Sequence, residues 1–430
     1  MKQYILKILQ NSAKKVIEKH KPVIIWITWT VWKTTSTHFV YEFMQALYWN
    51  DVYMSAYDYN WEYGLPLTIL HSKSPNKNIF WWIIVFIKWI LLRFYKTYPK
   101  YLVLEYWIDH KWEMDGLLNI AKPDIWIILN IYKNHVMQFP DFKDYIDEKL
   151  KMAFNSKKII YNIDDENLRT NLSSLEKNKA ISYWIKNQDV DLTAKNIKSD
   201  VKKLTFDFCC KDVCHNLNFN LIWEFQAYNI LPVFALGIEL WVEIEKIIEI
   251  MANVNPQKWR WTLLEWVNNS IIIDWSYNWW FNSISAWIDY MNSLSAEYNK
   301  ILFLWDMREL WEESKKMHYD LAEKIKSSEI DSIVLVWEEM KKYVYEKLVK
   351  HFWEQKVCWF LSSKQAWKKV KEFVQKSNRQ STIFVKWSQN TIFLEEWIKE
   401  LLYDIRCTSK LCRQSPRWLK IKEDFFNNVL

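Results

Sequence analysis

The chain predicts an α/β fold: a central domain of P-loop type built on a parallel sheet, joined to a Rossmann-like α/β C-terminal domain. Three observations predict it. An apolar strand at Val23 runs straight into a turn rich in threonine and lysine and then into a helix. Strand and helix patterns alternate from there to residue 162. A second alternating series starts near Arg260 and reaches Val385.

Residues 1–21 precede the first strand and form an amphipathic helix, with Ile5, Ile8, Leu9 and Val16 on one side and lysines on the other. That is too short for a domain. The central domain, 22–257, opens with the strand Val23–Ile25 and a helix from Thr35 to Leu47. The stretch from Ile79 to Tyr95 is strongly apolar, but Lys88 and Arg93 interrupt it and it is short for a membrane span, so it reads as a buried or interfacial helix. Strands at Tyr101–Glu105, Ile125–Asn130 and Lys158–Asn162 continue the sheet. The C-terminal domain, 258–405, carries strands at Ser270–Asp274, Lys300–Leu304, Ser332–Val336 and Thr382–Val385. The tail, 406–430, is basic and lacks clear periodicity.

The composition is unusual in one respect: 30 Trp against 3 Gly in 430 residues, where glycine ordinarily makes up about 7% of a soluble protein. Trp26, Trp29, Trp32, Trp275 and Trp305 fall where chains turn or bind phosphate. A truly Trp-rich protein would keep glycine in its turns. The expectation is therefore a gene that reads UGA as glycine, with most tryptophans standing for glycine and the Trp81–Trp82 pair the best candidate for genuine ones. The net charge of +7 is modest and Lys and Glu are mixed along the chain, so nucleic acid is not implied. Six cysteines and no signal peptide predict reduced cytoplasmic thiols without disulfides. Cys209, Cys210, Cys214 and His215 lack the usual spacing of zinc ligands.

The chemistry is concentrated in Thr28-Trp29-Thr30-Val31-Trp32-Lys33-Thr34-Thr35, at the strand-to-helix turn. Backbone N–H groups and the helix dipole attract phosphate there. Lys33 would reach the β- and γ-phosphates of ATP, and the Thr34 hydroxyl would bind Mg2+. Positions 29 and 32 need backbone conformations and a close phosphate approach that only glycine tolerates well. Ile27 stands at the first glycine position of the common GxxxxGK[ST] spacing, so this is a variant loop.

That variant, with four further segments in order, resembles the Mur ligase family. LVLEYWIDHKWEMDG, continuing to NIYKNH, looks like the family's central stretch, which implies that Glu105 and His135 help bind magnesium. DEKLKMAF followed by NIDDEN resembles the region of the carbamylated lysine, implying Lys149, with Lys151 as the alternative. WEFQAYN is similar to the adenine-side motif GxHNxxN; it keeps Asn229 but has Phe225 and Gln226 at the histidine and asparagine positions. PQKWRWTLLEW resembles the junction into the last domain, whose arginine, here Arg260, faces the ATP phosphates. IIIDWSYN and LWDMRELWEES are similar to IDDSYN and LGDMLELGEES, which implies that Asp274 lies on the ATP side and Tyr277, Asn278 and Asp306 near substrate. VKWS matches VKGS.

The resemblance implies an ATP- and Mg2+-dependent ligase of peptidoglycan synthesis. The γ-phosphoryl group passes to a substrate carboxylate, and an amine attacks the acyl phosphate. The best-matching branch joins D-alanyl-D-alanine (D-Ala-D-Ala) to a UDP-muramoyl tripeptide, a UDP-muramoyl peptide of the cytoplasm. Its C-terminal domain would close over the central one about a hinge near Asn255 to Trp261. A monomer without membrane contact is expected. With only about twenty residues before the first strand, the UDP-sugar domain usual at the N-terminus is expected to be missing. Two alternatives stay open: a ligase acting on another carboxylate, as in folylpolyglutamate synthase-like relatives, and a nucleotide-binding protein without catalysis.

Overall fold

The computed structural model describes the chain apart from residues 1, 29–32, 55–60, 73–78, 95–96, 107, 109, 133–138, 140, 177, 186–190, 212, 255–261, 275–280, 308–312, 354, 387–415 and 430. It divides into two compact units.

The first unit comprises Met1–Lys198, Leu204–Asn220 and Glu224–Asn255. Its strands are β1 (Val23–Thr28), β2 (Val52–Met54), β3 (Tyr101–Tyr106), β4 (Ile125–Ile128), β5 (Lys158–Asn162), β6 (Ala180–Trp184), β7 (Leu192–Ser199), β8 (Leu204–Cys210) and β9 (Val213–Phe219). They form one sheet in the order β2-β3-β1-β4-β5-β6-β7-β8-β9. Pairing is parallel from β2 through to β7, while β8 and β9 make an antiparallel hairpin. β1 and β4 are near-continuous apolar runs, as expected of strands covered on both faces.

Nine helices accompany this sheet among the described residues: α1 (Lys2–His20), α2 (Lys33–Tyr48), α3 (Trp61–Ile69), α4 (Ile79–Phe94), α5 (Glu113–Ile120), α6 (Phe142–Asn155), α7 (Glu166–Leu172), α8 (Gln226–Glu239) and α9 (Ile244–Ala252). α1 buries Leu9, Ala13 and Val16, one helical stripe, into the same core as Leu102, Leu117 and Ile159. α6 and α7 start at Asp141 and Asp165, whose carboxylates accept from the backbone N–H of Lys143 and Leu168.

The second unit comprises Ser199–Lys203, Leu221–Trp223 and Pro256–Leu430. Its sheet has the order β10 (Thr262–Trp266), β11 (Ser270–Asp274), β15 (Gln380–Lys386), β12 (Tyr298–Trp305), β13 (Ser332–Val336), β14 (Val357–Phe360), parallel except for β10 against β11. Helices α10 (Phe281–Ser293), α11 (Ser314–Lys326), α12 (Glu346–Leu348), α13 (Ser363–Lys376) and α14 (Pro416–Val429) belong to it, with a π-helical stretch, Met340–Tyr345, running into α12. A mixed α/β architecture with parallel sheets is thus present in both units.

Two expectations are corrected. The tail is not irregular throughout, since α14 occupies residues 416–429; it buries Lys422 and leaves Leu419 and Ile421 exposed. The cysteines are not all reduced either. Cys209 and Cys214 lie directly opposite one another on β8 and β9 and form a disulfide, because antiparallel register brings the two side chains together.

The backbone bears on the tryptophan excess. All three glycines lie inside helices, in α3, α5 and α8, and none has a positive φ. Left-handed conformations fall instead on Trp49, Trp112, Trp223, Trp241 and Trp337, among others. Trp241 is the clearest case: with φ 60°, it follows α8 in a Schellman motif, its N–H bonding to Ile238 O and that of Val242 to Gly237 O. Glycine is the usual residue at that position because it lacks the Cβ that makes the conformation costly. The Trp241 side chain is 93% exposed, so packing gives nothing back for the strain.

Candidate active site

Sheet order sets the location in the first unit. From β1 the chain builds β2 and β3 on one side and then crosses to β4 on the other, so the crevice beyond the carboxyl end of β1 is a topological switch point. β1 delivers Thr28 to that edge, and α2 begins at Lys33. Parallel register sets Glu105 of β3 beside Ile27, one residue short of the end of β1. A carboxylate is thus carried at the carboxyl end of β3, beside the end of β1. Thr28 is buried and its hydroxyl accepts a 2.7 Å bond from the Trp126 indole on β4. Thr35 is buried in α2. Trp29, Thr30, Val31 and Trp32 lie outside the described residues, as do the side chains of Lys33 and Thr34.

Beneath the loop, α2 and α8 are tied by a buried relay. The Ser36 hydroxyl donates to Asn229 Oδ1 at 2.5 Å, and Asn229 Nδ2 donates to Gln226 Oε1 at 2.8 Å. Gln226 Nε2 is buried without a hydrogen-bond partner. Asn229, expected on the adenine side, is thus engaged in fixing the helix that follows the loop. Ser36 was not singled out by sequence; its place one residue past the threonine pair was the available signal.

The lysine reading is sharpened. Lys149 on α6 is buried, its Nζ has no hydrogen-bond partner, and the Tyr145 ring lies 5.0 Å from it. Burial lowers its pKa to about 7, against the opposing pull of Asp165. Asp165 is itself raised by burial, although the backbone N–H groups of Ile131, Leu168 and Asn167 work the other way. Its two oxygens take 3.0 Å bonds from Ile131 and Leu168, which join the end of β4 to the start of α7. Lys151, the alternative, bonds Asp115 at 2.6 Å and Glu148 at 2.8 Å. Partial burial works against its charge, but those carboxylates outweigh it and raise its pKa. Of the two amines, Lys149 is the one poised to be neutral near pH 7.

The second unit presents a comparable edge. Asp274 ends β11, Lys386 ends the adjacent β15, and Asp306 follows β12 on the far side of β15. All three are buried. Asp306 Oδ1 accepts from the Met340 N–H at 2.7 Å and Oδ2 from Glu339 at 3.2 Å, so it caps the stretch after β13. His318, not anticipated, supports the same loop: Met307 N–H donates to Nε2 at 3.2 Å, which leaves Nδ1–H for Ser314 O at 2.8 Å. Burial lowers the His318 pKa and keeps this neutral tautomer. His135, Arg260, Tyr277, Asn278 and the hinge 255–261 lie outside the described residues.

Comparison with known proteins finds relatives over most of the chain. A family model described as the Mur ligase middle domain matches residues 27–237. A UDP-N-acetylmuramoyl-tripeptide--D-alanyl-D-alanine ligase of Borreliella burgdorferi is 26% identical over 340 residues, covering 78% of this chain and 66% of the relative. The enzyme of the same name from Bacillus subtilis is 24% identical over 400 residues, covering 92% of this chain and 79% of its own. The crystal structure of a MurF ligase from Thermotoga maritima in complex with ADP superimposes with TM-score 0.69 at 18% identity, over 92% of this chain and 82% of that one.

Proposed function

Because the chain belongs to the Mur ligase family, we propose that it is an ATP-dependent carbon–nitrogen ligase adding D-alanyl-D-alanine to a UDP-muramoyl tripeptide through an acyl phosphate. The observation that carries the proposal is the carboxyl edge of β1, where a phosphate-loop helix begins and Glu105 stands in register beside the strand; Lys149, elsewhere in the same unit, adds a buried amine whose pKa is lowered to about 7. We place the enzyme in the cytoplasm as a monomer.

Two of the three donors, Thr34 and Glu105, are oxygens, which suit magnesium as a hard cation. Thr34, Glu105 and His135 would hold the ion, which when bound neutralises phosphate charge. Lys33 and the first N–H groups of α2 would stabilise charge on the transferring phosphoryl group. Lys149, with its pKa lowered to about 7, is in large part a free amine at neutral pH and can add CO2 at Nζ with loss of a proton. Asp274, Tyr277, Asn278 and Asp306 would orient ATP and the incoming amine.

The same proposal requires glycine at positions 29 and 32, since an indole there fills the phosphate cradle. The left-handed backbone at Trp49, Trp112, Trp223, Trp241 and Trp337 supports a general replacement. Mass spectrometry of the native peptide from Pro22 to Lys33 is expected to find glycine at 26, 29 and 32; tryptophan there would sink it. In the glycine form, ADP release is expected to rise when UDP-muramoyl tripeptide and D-Ala-D-Ala are supplied together. No stimulation by that pair, with ATP bound, would reject the substrate assignment while leaving the nucleotide site standing.

A further inference from the structure

α4 is apolar on every side but covered on only one. Val85 is buried, and Trp82, Trp89 and Leu92 pack partly buried against the core of the first unit, at spacings of three and four residues. The opposite face consists of Ile83, Ile84, Ile87, Ile90, Leu91 and Phe94, with exposures from 39% to 76%. No other described helix exposes so long an aliphatic stripe. An exposed apolar patch of this kind on a folded chain marks a surface that meets something else.

The charge around it selects the occupant. From Tyr63 to Leu104 the sequence holds no aspartate or glutamate, yet it holds Lys73, Lys77, Lys88, Arg93, Lys96 and Lys100. Lys88 lies within the stripe and is exposed, its Nζ resting on His71 O. α1, which touches α4 through His20 Nε2 and Leu92 O at 3.0 Å, adds exposed Lys7, Lys15 and Lys19 with one exposed carboxylate, Glu18, while Lys100 is paired with Asp51 at 2.7 Å. Two copies meeting through this face would still oppose an excess of cations. An anionic lipid surface meets both demands, since acyl chains take the aliphatic face and headgroups take the lysines. The helix has 16 residues, and no described helix is long and apolar enough to cross a membrane.

We infer that α4 is a peripheral docking helix, lying in the interface of an anionic phospholipid bilayer with Ile83, Ile87, Ile90 and Phe94 inserted. This goes beyond the ligase reading, does not depend on it, and departs from the absence of membrane contact expected from sequence.

The test is flotation of the full chain with vesicles of phosphatidylglycerol and phosphatidylcholine, with phosphatidylcholine-only vesicles alongside. Binding is expected to anionic vesicles, to weaken at high salt, and to fall about tenfold or more in the triple variant Ile83→Ser, Ile87→Ser, Ile90→Ser. These positions are exposed, so the variant should keep its circular dichroism and thermal transition, which are recorded in parallel. Failure of the parent chain to float with anionic vesicles overturns the inference, and so does equal binding by the folded variant. Should the parent chain self-associate without lipid and the triple variant not, a second copy is the occupant and the inference is wrong. Lys88→Glu, which removes the central cation but little apolar area, should weaken anionic binding alone; an unchanged affinity would reject the electrostatic part.

Discussion

At the scale of single residues, Lys149 is the most informative side chain. Its pKa of about 7, against an ordinary 10.5, means that between those values the unfolded chain binds a proton that the folded chain does not. Stability in CO2-free buffer should therefore rise with pH across that window and level off above it. Lys149→Met should remove the slope, so that denaturant unfolding of parent and variant differs most near pH 7 and converges toward pH 10.5; parallel curves would contradict the burial argument. In bicarbonate labelled with carbon-13, the parent chain should show a carbamate carbonyl resonance that the variant lacks. The lysine was read from its flanking motif, with Lys149 preferred to Lys151. What separates their surroundings is which side of α6 is buried and which reaches Asp115 and Glu148, a matter of packing between α5 and α6 that the motif does not carry.

At the scale of elements, two of the three glycines differ in what surrounds them. A Cβ at Gly237 of α8 would approach Ile247 Cδ1 of α9 to 2.5 Å, whereas one at Gly116 of α5 meets nothing within 4 Å. Gly116→Ala should stabilise the chain by roughly 0.5–1 kcal/mol, through helix propensity alone. Gly237→Ala should destabilise it by about 1–3 kcal/mol, as the α8–α9 contact is forced apart. Chemical denaturation of the two variants checks both signs. Strands read from short apolar runs, such as Val23–Ile25, Ser270–Asp274 and Ser332–Val336, lie within or coincide with β1, β11 and β13, because parallel strands buried on both faces leave an unbroken apolar record. The β8–β9 hairpin left a subtler one. Leu204, Phe206 and Phe208 alternate inward with period two, but Lys211 and Asp212 between the strands are not a typical hairpin pair. The apolar stretch at Ile79 was foreseen as a helix, buried or interfacial. Only the packing of Val85 and Leu92 reveals that it divides into a covered face and an open one.

At the scale of the whole molecule, each unit has its own sheet and its own core. The phosphate loop belongs to the first. Thermal unfolding of the glycine form should show two transitions, of which saturating ATP raises the one that loses the first unit's core, by mass action on the folded state. A single transition unmoved by ATP would remove support for a nucleotide site in that unit. The loop, the Glu105 strand end and the order of the motifs were visible in one dimension. The Ser36–Asn229 relay and the His318 support were not, since they join residues far apart in the chain. The register of β1 has a further consequence, for synthesis. Val23 pairs with Tyr101 and Ile25 with Ile125. At a ribosomal pace of about 5–20 residues per second, β1 leaves the exit tunnel roughly 4–16 s before its first partner strand does. For that interval a strongly apolar strand has nothing to pair with, so the nascent chain is a client for any holding chaperone at the tunnel mouth, and the pace of translation governs how long it remains one.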